Sequence, residues 1–187
     1  MRKALIPIAV LVLTVLAVAQ RRQPTAEEKA KRPSPPGTAE VVLNGKKITI
    51  DYSRPKMADP RTGQPRKIMG DLVPYGQEWR TGANEATSFV TETGLMIGST
   101  HVPAGIYTLY TLPEADKWTL IISKKTGQWG IPYPGKADDL ARIPMKVEKL
   151  KSAVDPFTIS LEKKGDSAAI LKLAWENTQA SIEIMAH

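Results

Sequence analysis

The residues best suited to chemistry lie together in one stretch, YGQEWRTGANEATSF at 75–89. It contains two carboxylates, a guanidinium, an amide and an indole: Glu78, Glu85, Arg80, Asn84 and Trp79. If Arg80 and Glu85 form a bidentate ion pair that Asn84 completes and Trp79 covers, the stretch is a buried structural network. If Arg80 and Asn84 bind a ligand instead, Glu85 is available as an acid or base. The spacing is compatible with both interpretations.

Signatures of the common active-site classes are absent from the sequence. It has no nucleophile elbow, His-Glu-x-x-His motif, phosphate-binding loop or dinucleotide fingerprint. With no cysteine and only two histidines, His101 and His187, thiol catalysis and a His-rich zinc site are excluded. His101 precedes a proline late in a predicted strand and is expected to face outward. We therefore predict no cofactor and no metal, and the one candidate for a catalytic residue is Glu85.

A hydrolytic function would require a second carboxylate near Glu85. Glycoside hydrolysis uses two carboxyl groups that flank the scissile bond. The sequence offers Asp51, Asp138 and Asp139 for this role. A lone glutamate without such a partner is poorly equipped for acid–base catalysis. A cofactor-free, glycosidase-like hydrolase is therefore the alternative to a binding function.

Two other segments carry candidate binding residues. Trp129 stands in a long irregular segment, 125–142, beside Gln128 and Tyr133 and among prolines that stiffen the chain. Its ring either stacks on a ligand such as a sugar or plugs one end of the fold. The segment 54–67 carries cations against one acid, Asp59, and is either a solvated basic loop or a local anion site. These cations are Arg54, Lys56, Arg61, Arg66 and Lys67.

The elements that must position these residues are strands. Apolar residues alternate with polar ones in run after run, as in ITIDYS at 48–53, and Asn44-Gly45 is typical of a hairpin turn. About nine such short runs predict an all-β fold, an antiparallel β-sandwich or jelly-roll-like barrel. Two long loops, 54–86 and 125–142, interrupt the pattern, and a single helical turn is expected before Pro144. Long irregular connections of this kind are often functional.

The aromatic residues of the strands give further expectations about the core. Trp118 and Trp175 fall within strand patterns and are predicted to be buried in it. Tyr107 and Tyr110 point to opposite faces of one strand, so at most one of them should belong to the core.

Several of these segments together resemble one known family. They are ITIDYSRP, GDLVPYGQEWRTGANEAT, VPAGIYTLYTLP with the following WTLIISK and GQWG, and the closing LAWENTQASIEI. The chain from Thr38 onward is similar to the domain of unknown function 2911 family, which comprises exported bacterial proteins with an all-β domain. The resemblance implies export and an all-β fold. It implies no reaction, because no activity is assigned to the family.

The N-terminal residues predict export. A basic MRK, an apolar run and Ala17-Val18-Ala19 have the form of a signal peptide, 1–19, cleaved after Ala19. An uncleaved membrane anchor is the other interpretation of this run, and Pro7 argues against it. The next segment, 20–37, is charged and Pro-rich and is predicted to be a disordered tether. A single domain is then expected over 38–187, in the periplasm or outside the cell, with no stable membrane insertion.

The charge of the chain argues against nucleic acid as a partner. The formal net charge of +7 includes two charges in the signal peptide and a net three in the tether, so the folded domain carries about +2. A domain so close to neutrality has no electrostatic footprint for a phosphate backbone.

The sequence therefore predicts a non-enzymatic binding module. Its partner is a small polar ligand, with carbohydrate as one class, or another protein of the envelope. The predicted binding residues are Trp79, Arg80, Asn84, Glu85 and Trp129. The third possibility is a purely structural envelope protein, in which the polar stretch forms a structural network and no binding site.

Overall fold

The computed structural model describes residues 24–187, so the predicted signal peptide and 20–23 lie outside the described residues. The described chain forms a short helix, a 3-10 turn and nine strands. Their bounds are α1 Ala26–Ala30, β1 Pro36–Leu43, β2 Lys46–Ser53, β3 Thr87–Thr91, β4 Leu95–Ile97, β5 Thr100–Val102, β6 Gly105–Pro113, β7 Trp118–Ser123, the 3-10 turn Lys136–Asp138, β8 Asp139–Lys163 and β9 Ala168–Ala186.

The strands pair antiparallel throughout, in the order β1-β2-β3-β6-β7-β8-β9-β4-β5. The first part of β8 pairs with β7 through Met145, and the remainder, from Lys146, pairs with β9. One strand thus passes from one half of the sandwich-like fold to the other. Contacts between the halves include the hydroxyl of Tyr52, which accepts a hydrogen bond from the backbone N–H of Ile159 at 2.9 Å. The predicted all-β, antiparallel, sandwich-like fold is confirmed.

The sequence predicted that all strands are short, but two of them are long. Two pairs of predicted strands are fused, giving β8 25 residues and β9 19 residues. The apparent turn at Asn177-Thr178 lies within β9, where Glu176 adopts a φ of +53° opposite a bulged stretch of β8 between Lys149 and Thr158. A bulge bends a strand and leaves the pairing to continue on either side of it. Pro144 likewise lies within β8 and does not end an element.

The predicted hairpin between β1 and β2 is present. Asn44 and Gly45 have φ angles of +51° and +75°, which match the right-handed twist of the flanking strands. On β2 the alternation places Ile48, Ile50 and Tyr52 in the core. The first long loop covers 54–86, as predicted, whereas the second covers only 124–138 because β8 begins at Asp139.

Aromatic side chains form the centre of the core at the end of the sandwich that the first loop covers. Trp118 and Trp175 are buried, as predicted. Trp79 from the first loop packs against both, with ring centroids 6.2 Å and 5.9 Å away, and against Phe157 at 4.9 Å. The first loop is therefore anchored to the core by its own tryptophan.

Tyr107 and Tyr110 are both buried, although the alternation predicted that one at most would be in the core. Tyr107 packs against Phe89 in the main cluster, whereas Tyr110 lies outside that cluster. The second loop covers it with the ring of Tyr133, 5.2 Å away, and with the amide of Gln128. The opposite face of β6 is thus closed by a loop, which the strand pattern does not reveal.

The described part of the predicted tether is structured. Thr25 caps α1, since its side chain accepts from the backbone N–H of Glu28 and the Glu28 carboxylate accepts from that of Thr25. No residue of α1 is buried. The sequence predicted disorder because the segment is charged and Pro-rich. Ion pairs to the first loop, described below, hold this segment in place. Among residues 24–187 no helix is long and apolar enough to cross a membrane.

Candidate functional site

A cavity of about 620 Å³ lies between the first loop and the N-terminal strap, which we define as residues 29–35. This volume is within the range of small-molecule sites. We call it the main cavity. Its apolar lining includes Leu72, Val73, Ile131 and the indoles of Trp79 and Trp175, and its charged lining is Lys31, Lys56, Arg66, Arg80, Asp59 and Glu78.

Trp79 is held at the cavity by backbone pairing with β6. Its N–H donates to the carbonyl of Thr111 at 2.7 Å, and its carbonyl accepts from the N–H of Thr111 at 2.9 Å. The indole N–H donates to the carbonyl of Gly82 at 3.2 Å. The indole is therefore fixed in orientation, with one side on the aromatic core and its outer edge at the cavity.

Arg80 does not pair with Glu85, so the ion pair considered in the first interpretation is not formed. Its Nη1 donates to the carbonyls of Asn84, at 2.9 Å, and of Trp129, at 3.3 Å. The guanidinium also lies over the ring of Trp129, 5.9 Å from its centroid. Partial burial lowers the pKa of Arg80 below its ordinary value. Arg80 thus joins the two long loops at the margin of the main cavity.

Glu85 is paired with the N-terminal strap. Its carboxylate accepts from Arg32 Nη1 at 2.8 Å and lies 3.3 Å from Lys29 Nζ. Burial on its own would raise the pKa of Glu85, but hydrogen bonds from its own backbone N–H, Arg32 and Lys29 outweigh it and lower the pKa. An ionised carboxylate with two cations around it is a poor proton donor and a poor base.

Of the three aspartates that the sequence offered as a second carboxylate, only Asp51 lines a cavity together with Glu85. Glu85 lies on a separate, smaller cavity of about 200 Å³, which Asp51 also lines. Asp51 accepts a hydrogen bond from Thr38 at 2.6 Å. Asp139 is bound to Arg142, and neither it nor Asp138 lines either cavity.

Asn84 also secures the strap. Its amide donates to the carbonyl of Ser34 at 2.9 Å and to Ser53 Oγ at 3.2 Å, and its own φ is +57°. Asparagine tolerates this left-handed conformation better than most residues. Asn84 and Glu85 therefore position the strap, and the strap in turn contributes Lys31 and Ser34 to the lining of the main cavity.

The arginine–carboxylate network that the sequence suggested for Arg80 and Glu85 is made by other residues. Arg142 donates to Glu78 Oε1 at 3.0 Å, to Asp139 Oδ2 at 2.7 Å and to the hydroxyl of Tyr133 at 3.0 Å. Burial raises the pKa of Tyr133, and donation of its proton to Asp139 raises it further, to about 12. This network links β8 to both loops. The Asp139-x-x-Arg142 spacing is the only sign of it in the sequence.

Glu176 was also missed by sequence reasoning. It lies on β9 opposite the bulged stretch of β8, and its carboxylate accepts from the backbone N–H groups of Ile68, at 3.3 Å, and Met69, at 3.2 Å. Both loop residues are buried. Glu176 therefore fixes the middle of the first loop to the sheet. A positive φ at a glutamate has no local sequence signal.

The five predicted binding residues thus do not form one site. Trp79 and Arg80 line the main cavity, Glu85 lines the smaller one, and Asn84 lines neither. Trp129 is 50% exposed and reaches the site only through Arg80.

The basic segment 54–67 contributes Lys56 and Arg66 to the main cavity, together with Asp59. Its other cations, Arg54, Arg61 and Lys67, do not line the cavity. Arg54 donates to Thr158, and Arg61 is 87% exposed.

Histidines and acids do not assemble a metal site in the described chain. Among residues 24–187 there is no group of three or more His, Asp or Glu side chains that could hold an ion. The imidazoles of His101 and His187 lie 5.2 Å apart on the surface, and His101 is exposed, as predicted.

Comparison with known proteins identifies the family and nothing more specific. No curated protein and no solved structure matches the chain. A family model described as a protein of unknown function, DUF2911, matches residues 34–184. The match contains both long loops and all nine strands except the last residues of β9. The chain therefore belongs to the DUF2911 family.

Proposed function

We propose that this protein is a non-enzymatic binding module that takes up a small polar ligand in the main cavity. The observation that carries the proposal is the lining itself: an aromatic floor of Trp79 and Trp175 next to the polar group of Arg80. Sites for small molecules combine mostly apolar walls with a few fixed polar groups. Here both kinds of group are held by backbone pairing and by contacts with the core.

The position of Glu85 argues for binding rather than hydrolysis. Its carboxylate is engaged by Arg32 and Lys29, and it lies on the smaller cavity. A hydrolytic pair needs two carboxyls whose environments separate their pKa values at one site. The acids on the main cavity are Glu78, paired with Arg142, and Asp59, which accepts from two backbone N–H groups of its own loop.

A protein partner from the envelope is the second candidate. Trp129 and Ile131 are 50% and 59% exposed next to the site, and aromatic anchors of this kind are enriched where proteins meet. The signal-like N-terminus supports placing the protein in the periplasm or outside the cell.

The proposal is tested by filling the cavity. Ala58 lines it, so Ala58→Phe should occupy ligand space, whereas Ala115→Phe adds the same ring to an exposed turn. Monosaccharides, sugar acids and small aromatic acids and amides are screened by thermal shift and tryptophan fluorescence. A ligand at about 100 times its Kd adds about 2.7 kcal/mol to the free energy of unfolding.

We expect at least one compound to raise the melting temperature of the wild type and of Ala115→Phe and to leave that of Ala58→Phe unchanged. If no compound acts on the wild type, or if Ala58→Phe responds as the wild type does, the main cavity is not the binding site.

A further inference from the structure

We propose that the ligand of the main cavity is a small organic anion. Its carboxylate or phosphate oxygens bind the unused Nε and Nη2 donors of the Arg80 guanidinium, and its apolar or ring face packs on Trp79, the more exposed of the two indoles that line the cavity. This inference rests on the proposed binding function and narrows it to one chemical class. Four observations carry it.

The first observation is the unused edge of Arg80. Its two hydrogen bonds, to Asn84 and Trp129, both leave from Nη1, which fixes the plane of the group. The Nε–H and the Nη2–H donors make no hydrogen bond to any described residue. Nε and Nη2 form the side of the guanidinium that binds two oxygens of one carboxylate or phosphate in parallel. Arg80 is thus held through Nη1, while its Nε and Nη2 donors are unused.

The second observation is that nearby carboxylates are committed elsewhere. Glu78 pairs with Arg142 at 3.0 Å and Glu85 with Arg32 at 2.8 Å. Asp59 accepts from the backbone N–H of Arg61 at 2.8 Å. Within residues 24–187, Arg80 therefore has no carboxylate partner. A half-buried cation without one is destabilising unless something else supplies the counter-charge.

The third observation is the sign of the charge on the residues that line the cavity. Lys31, Lys56, Arg66 and Arg80 line it, against Glu78 and Asp59. Lys31 is paired with Glu27 at 2.6 Å, so the excess of positive charge comes from Lys56, Arg66 and Arg80. Arg66 donates to the backbone carbonyls of Lys56 and Met57, and no acid among the described residues pairs with it. The electrostatic potential inside such a concave site attracts anions and raises their local concentration.

The fourth observation is an unsatisfied donor. Trp175 lines the cavity and is 1% exposed, and its indole Nε1 has no hydrogen-bond partner in the described chain. Buried donors of this kind are normally paired. By contrast, the indole of Trp79 is satisfied by Gly82. The indole Nε1 of Trp118 is also unpaired, but only Trp175 lines the cavity, where a ligand oxygen at the floor would give its N–H an acceptor.

The test compares acids with neutral molecules of the same shape. Benzoate is titrated against benzamide, and galacturonate against galactose, by tryptophan fluorescence at constant ionic strength; phenyl phosphate provides the other oxyanion. We expect each acid to bind wild type about tenfold more tightly than its neutral counterpart, as one charge-assisted bidentate contact would provide. Raising the salt concentration should weaken binding of the acids only.

Matched variants assign the preference to Arg80. Arg80→Gln should remove the preference for the acids, while Arg61→Gln, which changes an exposed arginine of the same loop, should leave it within about twofold. Because Arg80 also joins the two loops, Arg80→Gln can weaken folding. Lys56→Gln changes an exposed lining cation instead and should reduce acid binding about twofold to fivefold.

The outcomes separate the two proposals. If neutral probes bind wild type as tightly as the acids do, the anion assignment is wrong and the binding function stands. If Arg80→Gln weakens acids and neutral probes equally, Arg80 only shapes the cavity and the assignment is also wrong. If none of the probes binds at millimolar concentration, both proposals fail.

Discussion

Glu85 carries two ion pairs, and both partners, Lys29 and Arg32, lie in the N-terminal strap. Its side chain is 36% exposed, so water screens these pairs and each contributes less than a buried pair would. We expect Glu85→Gln to lower the free energy of unfolding by about 1 kcal/mol, measured by chemical denaturation at neutral pH. A loss of about 3–5 kcal/mol would instead indicate the buried network that the sequence suggested.

The matched control is Glu114→Gln. Glu114 is 37% exposed and pairs with Lys117 three residues away, so it fastens no distant segment. Glu85→Gln should cost more, and equal costs would show that the strap is not held by Glu85. Because the folded-state pKa of Glu85 is lowered, its contribution is present above the ordinary carboxyl pKa of 4.5 and is lost as the pH falls through the folded value. The difference between wild type and Glu85→Gln should therefore vanish in acid.

Side-chain types in the polar stretch were predictable, whereas their partners were not. An indole N–H that is partly buried needs an acceptor, and that of Trp79 has one in the carbonyl of Gly82. A pair between Arg80 and Glu85 was one of two interpretations of the sequence, but Glu85 binds Arg32, 53 residues away, and Glu78 binds Arg142, 64 residues away. Ion pairs of this kind follow from the way the chain returns to the same place. A single sequence does not specify that.

At the level of elements, local signals were sufficient where a turn is made by its own residues. Asn44 and Gly45 form the predicted hairpin because both tolerate a positive φ. The turn signal at Asn177-Thr178 was misleading, because the pairing of β8 with β9 continues on both sides of a local irregularity there. Pairing with a neighbouring strand outweighs a weak turn preference. The sequence consequently predicted the alternation correctly and the strand lengths incorrectly.

Gly82 shows how closely the first loop must fit the sheet. Its φ is +154°, and a Cβ there would lie 3.0 Å from the carbonyl oxygen of Ser53. Gly45 also has a positive φ, but nothing lies within 4 Å of its Cβ position. We expect Gly82→Ala to lower the free energy of unfolding by roughly 2–4 kcal/mol and Gly45→Ala by about 1 kcal/mol. Chemical denaturation of both variants checks this, and similar losses would refute the close packing of the loop on β2.

For the molecule as a whole, the main cavity depends on segments that are far apart in the chain. The strap contributes Lys31, the first loop contributes Arg80, the second loop contributes Ile131 and β9 contributes Trp175. The long loops were predicted to be the functional regions. The strap was not, because its charged, Pro-rich composition is typical of disorder and its order depends on Asn84 and Glu85. The family match begins at Ser34, so most of the strap lies outside it.

The strap should therefore matter for binding more than for folding. Helix α1, whose last two residues belong to the strap, buries no residue, and β1 begins only at Pro36, so a variant that lacks the residues before Ser34 should retain the β fold. It loses Lys31 and one wall of the cavity, so we expect benzoate and galacturonate to bind about tenfold more weakly, with an unchanged near-ultraviolet dichroism spectrum. Lys31→Gln in the full chain separates the two causes, since it removes the charge and keeps the wall. Affinity in the shortened variant equal to that of the full chain would show that the strap plays no part in the site, and a lost dichroism signal would show that the fold itself requires it.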